Sequence, residues 1–150
     1  MSDWAVALEE RDPESAVKLY REALAIRERE LAPLNADLAT TRMNLAGLLL
    51  ADGGKQAEAL ARQALTAFEK TLGPRHERTG VACGTLGAAV ATRGDIVLAE
   101  RLFRRALSIK ETPEALENLA DLLAQTGREA AARPLLERAE AIRAKRGKQP

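Results

Sequence analysis

Laid against itself with a shift of 41 residues, the chain repeats. Leu31-Ala32-Pro33 falls on Leu72-Gly73-Pro74, Leu45-Ala46 on Leu86-Gly87, Leu49 on Val90 and Gly53 on Gly94. A further shift of 33 carries Leu86-Gly87 to Leu119-Ala120, Val90 to Leu123, Gly94 to Gly127, Ala99 to Ala132 and Ala106 to Ala139. Moved back by 83, the run Ala99, Leu102, Phe103, Ala106, Leu107 and Ile109 lands on Ala16, Leu19, Tyr20, Ala23, Leu24 and Ile26. Units of this size form an array in which each packs mainly on its neighbours.

Within a unit the apolar residues recur at three, four and seven positions, the spacing of a helix stripe. Each unit reads as two helices. The first carries Leu-small-x-x-aliphatic and stops at Gly; the second carries Ala-x-x-Leu, an aromatic or aliphatic residue, then Ala-Leu-x-Ile. Composition agrees: Ala fills 30 positions and Leu 23, while aromatics are 3%. Both are strong helix formers, and small side chains let helix axes approach to roughly 8–10 Å. Asp12-Pro13 and Thr112-Pro113 have the form of an N-cap followed by Pro in the first turn, and Asp95 is a third N-cap. Gly53-Gly54, Gly94 and Gly127 stand where a helix ends in a left-handed residue. These signals place helices at 13–31, 36–51, 55–72, 77–93, 96–110, 113–126 and 129–146, with a short one at 3–10. Pro134 should bend the last helix mildly without breaking it.

These residues resemble the tetratricopeptide repeat (TPR), whose pattern runs Trp-x-x-Leu-Gly-x-x-Tyr, Ala-x-x-x-Phe, Pro. Leu86-Gly87, Ala99-x-x-x-Phe103 and Pro113 follow it. The Trp slot departs from it, holding Arg42, Cys83 and Leu116 in the three full units. The period of 41, the run LGPRHERT and the run AERLFRRALSIKE are similar to the kinesin-light-chain subtype. The resemblance spans about residues 11–146. It implies an all-α, right-handed superhelix of antiparallel helix pairs with about 3.5 repeats. A single domain, 1–150, would divide into a half repeat at 11–31, full repeats at 36–72, 77–111 and 113–146, and a tail at 147–150. Such a fold implies a non-catalytic scaffold that takes a peptide or helix of a partner protein in a concave groove lined by first helices.

Matching positions across units assigns the groove. The first unit contributes Thr40, Met43, Asn44, Gly47 and Leu50. The second contributes Val81, Gly84, Thr85, Ala88 and Ala91, and the third Glu114, Glu117, Asn118, Asp121 and Ala124. In the family, an Asn at the position of Asn44 and Asn118 often hydrogen-bonds a bound peptide's backbone; bonding to neighbouring helices or water is the alternative. The small residues of the second unit either admit a partner's side chains or pack against the next first helix. Glu114, Glu117 and Asp121 either favour a basic segment or are simply solvated. Met43 and Gly47 stand where a carboxylate-clamp repeat would need Lys and Asn, which argues against that ligand type.

Chemistry of other kinds finds few residues. One His, His76, and one Cys, Cys83, cannot supply a zinc site by themselves. Gly53-Gly54-Lys55 lacks the spacing of a phosphate loop. No cofactor is expected. With acids and bases interspersed and a net charge of +1, no field of one sign is present to hold nucleic acid. The longest uncharged run, Thr79 to Thr92, is too short to span a bilayer. The lone cysteine and the charged opening residues fit a cytoplasmic protein. The Arg-rich, Ala-rich composition fits a bacterial source. An alternative role is a structural subunit that self-associates as a homo-oligomer through its solenoid ends, where Leu19, Leu24 or Trp4 would be left uncapped.

Overall fold

The structure, a computed structural model, describes residues 12–147. It is helical throughout: α1 (Pro13–Glu30), α2 (Ala36–Leu48), α3 (Lys55–Thr71), α4 (Glu77–Thr92), α5 (Ile96–Ile109), α6 (Pro113–Gln125) and α7 (Glu129–Arg146). The helix expected at 3–10 lies outside the described residues. The last expected residues of the helix at 36–51, residues 49–51, tighten into a 3₁₀ turn, Leu49–Asp52. The remaining ends agree with the sequence reading to about one residue.

Local chemistry starts and stops each helix. Asp12 accepts from the Ser15 N–H at 3.1 Å, Asp95 from the Leu98 N–H at 3.1 Å and Thr112 from the Ala115 N–H at 3.2 Å. Each satisfies one of the amides a helix start leaves without a partner. The stops repeat as the sequence does. Asp95 N–H bonds Val90 C=O at 3.0 Å around Gly94, and 33 residues later Arg128 N–H bonds Leu123 C=O at 2.8 Å around Gly127. Both glycines hold a positive φ, 87° and 75°, which closes the last turn. α7 runs unbroken through Pro134.

Each helix packs on its neighbours in sequence, and α2, α4 and α6 also touch one another side by side. The first helices thus form one layer and α3, α5 and α7 the other. The core lies between the layers, built from Leu45, Leu49, Leu60, Phe68, Leu86, Val90, Phe103, Leu119 and Leu123 with alanines filling between them. Glycine sets one of the closest approaches. A Cβ on Gly87 would stand 2.7 Å from the Phe103 ring, so α4 meets α5 there only without a side chain. Two buried threonines are satisfied: Thr79 donates to Gly73 C=O at 2.8 Å and Thr41 to Asp37 C=O at 3.1 Å. In the Trp slot Cys83 and Leu116 are buried. Arg42 instead reaches the Pro33 carbonyl and Glu28, both at 3.1 Å, and leaves its Nε enclosed without a partner.

Candidate functional site

The layer of first helices bounds a cavity of about 400 Å³. Gly47 and Leu50 close one side. Val81, Gly84, Thr85 and Ala88 form the α4 wall, and Glu114 and Asn118 the α6 wall. These eight are groove positions assigned by matching the repeats. Six more residues join them: Glu77, Gly80, Ala106, Lys110, Thr112 and Ala115. They come from the α4 start, from α5, from the connection to α6 and from the first turn of α6. The matching considered only the exposed stripes of first helices, so it could not find them. α5 and α6 pack less extensively than α3 and α4, and the cavity opens between the second and third units.

Other assigned residues go elsewhere. The Asn44 amide donates to the Tyr20 hydroxyl at 3.2 Å, tying α2 to α1. Thr40 donates to its own helix at Ala36 C=O, 2.8 Å away. Met43 and Ala91 pack against the core. Glu117 makes a two-pronged bond with Arg143 of α7, one arm at 2.9 Å, and so is turned away from the cavity. Asp121 and Ala124 are exposed on α6 beyond the cavity wall.

The walls differ in chemistry. Along α4 the surface is apolar, with Val81 47% exposed. The Thr85 hydroxyl bonds back to Val81 C=O at 3.2 Å. Gly47 and Gly84 have nothing within 4 Å of where a Cβ would be, unlike Gly87. On α6, Glu114, Asn118 and Asp121 lie on one face at i, i+4 and i+7. Among the described residues none of these three side chains makes a hydrogen bond or ion pair. Among the described residues the cavity's one cation, Lys110, is paired with Glu77, and that pairing holds the Glu77 carboxyl below the usual range.

The remaining reactive side chains are occupied by the fold. His76 is an exposed N-cap whose Nδ1 accepts from the Arg78 N–H at 3.1 Å. That role was not legible beforehand, since imidazole is not among the usual capping groups. Cys83 is a free thiol enclosed in the core, and burial pushes it up, away from the thiolate a nucleophile needs. Among the described residues no three His, Cys, Asp or Glu side chains are grouped to hold a metal ion. Nor is any described helix long and apolar enough to cross a membrane.

Stacked helix pairs with a shared layer of first helices define a helical-repeat protein. Two family models for the tetratricopeptide repeat match the sequence, one at residues 37–112 and one at 6–33 and 114–145, and the chain belongs to that family. No curated protein sequence matches the chain. Among solved structures it is similar to BtubC (BKLC) from P. vanneervenii, with a TM-score of 0.77 and 23% identity over 96% of this chain. The chain spans 62% of that structure's length. It is also similar to a Podosopora anserina protein described as a putative kinesin light chain with nearly identical TPR-like repeats. A point variant of that protein gives a TM-score of 0.72 at 24% identity, covering 97% of this chain and 74% of the other. A second structure of the same description gives 0.68 at 24% identity, with the same coverage. At such identities the likeness is one of fold: a TPR solenoid. Repeats of this family generally mediate protein–protein interaction and are generally not enzymes.

Proposed function

We propose that this chain is a non-catalytic scaffold that binds a peptide or helix of a partner protein in the cavity between its first helices. One observation carries the reading. Gly47 and Gly84 sit inside helices, at a cost of about 0.5–1 kcal/mol each relative to Ala, and neither is excused by a close neighbour. Both face the same cavity. A binding surface that brings a partner up to the helix backbone accounts for that cost. The binding set read here is Gly47, Leu50, Val81, Gly84, Thr85, Ala88, Glu114 and Asn118, with Asp121 at the rim. The buried free thiol of Cys83 fits work in a reducing compartment such as the cytoplasm.

A photo-crosslinking side chain at Val81 tests the proposal against one at Val97, which is 73% exposed but outside the cavity. Adducts with a partner protein are expected from position 81 and not from 97. Adducts from 97 alone would sink it. The second reading is self-association through the array's ends. Leu19 and Ile26 on α1 are 38% and 52% exposed, and Leu136 on α7 is 41% exposed. Light scattering that shows a monomer at high concentration rules it out.

A further inference from the structure

We infer that the cavity's occupant is a basic amphipathic α-helix of a partner protein, its small-residue face laid over Gly47 and Gly84 and its lysines or arginines against Glu114 and Asp121. This rests on the cavity being the binding site and adds what fills it.

Main-chain chemistry favours a helix. An extended segment carries unpaired N–H and C=O groups that need partners once water is displaced. The α4 wall has almost none to give. Its Thr85 hydroxyl is engaged with its own helix, and the Asn44 amide is engaged with Tyr20. Among the described cavity residues, Asn118 is the one with a side-chain amide, and it has no hydrogen-bond partner among the described residues. A helix satisfies its own main chain and asks only for close contact. Close contact is what Gly47 and Gly84 allow, because a partner helix can approach where no Cβ stands.

Charge fixes the sign of the helix. Among the described residues the one cation on the cavity wall, Lys110, is neutralised by Glu77. Glu117 is neutralised by Arg143, so the charge of that arginine is already engaged where it passes near Glu114. What remains on the α6 face is Glu114 and Asp121, two carboxylates with no ion pair among the described residues, on either side of Asn118. Their field attracts cations and repels an acidic segment.

Two labelled helical peptides test this by fluorescence anisotropy. One carries alanine and leucine along one face and lysine on its flanks; the other has glutamate in place of every lysine. The lysine peptide is expected to bind the full chain at least about tenfold more tightly than the glutamate peptide, with affinity falling as salt rises. Glu114→Gln with Asp121→Asn should weaken it by about three- to tenfold, and Gly84→Leu should abolish it. If Gly84→Leu does not fold, the exposed Glu114→Lys carries the test, because it should reverse the preference between the peptides. Equal or tighter binding of the glutamate peptide, lost in Gly84→Leu, overturns the inference and leaves the cavity standing as the site. Binding of the lysine peptide that Gly84→Leu does not alter, or no binding of either peptide, also overturns it. Whether the cavity reading survives is then decided separately by the crosslink at Val81.

Discussion

Helical glycines in this chain are of two kinds, and substitution separates them. At Gly87 a methyl group would enter the ring of Phe103, itself enclosed in the core, so room can come only from shifting packed atoms. Gly87→Ala is expected to destabilise the fold by about 1–3 kcal/mol. At Gly47 and Gly84 a methyl would meet nothing. There Ala removes backbone freedom from the unfolded chain, and each substitution should stabilise by about 0.5–1 kcal/mol. Urea denaturation of the three single variants checks this, and opposite signs for Gly87 and the other two are the expected outcome. If Gly84→Ala also destabilised, that glycine would have a packing role and the cavity would lose its main support. Residue identity alone could not sort these positions. Gly84 and Gly87 lie three apart on one helix, and only the neighbouring α5 shows which of them is pressed.

Between elements, the acids join helices that are far apart in sequence. Glu58 of α3 is held by Arg62 on its own helix at 2.7 Å and also by Arg93 just past α4. Glu100 of α5 repeats the device, with Arg104 and Arg128 both at 2.8 Å. Side-chain hydrogen bonds to these arginines, with a smaller charge attraction, hold both carboxyls below the ordinary glutamate range. A depressed folded-state pKa adds stability above the unfolded value. That stability is lost as pH falls through the ordinary glutamate value, about 4.3, and on through the lower folded value. Glu58→Gln with Glu100→Gln should therefore lower stability at neutral pH by about 0.2–1 kcal/mol for each pair lost. The variant and wild type should draw together as pH falls below the ordinary glutamate value and converge only below the lowered folded value, as thermal melts across pH would show. The helices and most caps were legible in the sequence because their signals lie within three or four residues of each other, as Asp95 and Leu98 do. These ion pairs were not. The sequence shows acids interspersed with bases but not which of them meet, and Glu58 and Arg93 meet across 35 positions. The candidate site divides the same way. Gly47, Val81, Gly84 and Asn118 follow from repeat matching, while Ala106, Lys110 and Ala115 depend on how closely two units pack.

At the scale of the whole array, stability should vary along the chain, because a solenoid helix is supported chiefly by its neighbours. α3 buries seven residues, among them Phe68 and Leu65, and α4 buries eight. α7 has as many positions as any described helix but buries only Ala132 and Ala139. Pro134 also removes one of its main-chain bonds. Salt bridges from Arg138 to Glu111 and from Arg143 to Glu117 hold it to the rest, and both lie at exposed sites where each contributes little. Amide hydrogen exchange should accordingly be faster in α7 than in α3 and α4, by local opening of that helix rather than global unfolding. Pro134→Ala should slow exchange in α7 and leave α3 unchanged. A helical peptide seated in the cavity should instead slow α4 and α6, whose faces it covers, and reach α7 only through α6. Equal protection across all seven described helices, with Pro134→Ala shifting them together, would mean a single cooperative body and remove the reason to treat each unit's groove face as separately tunable.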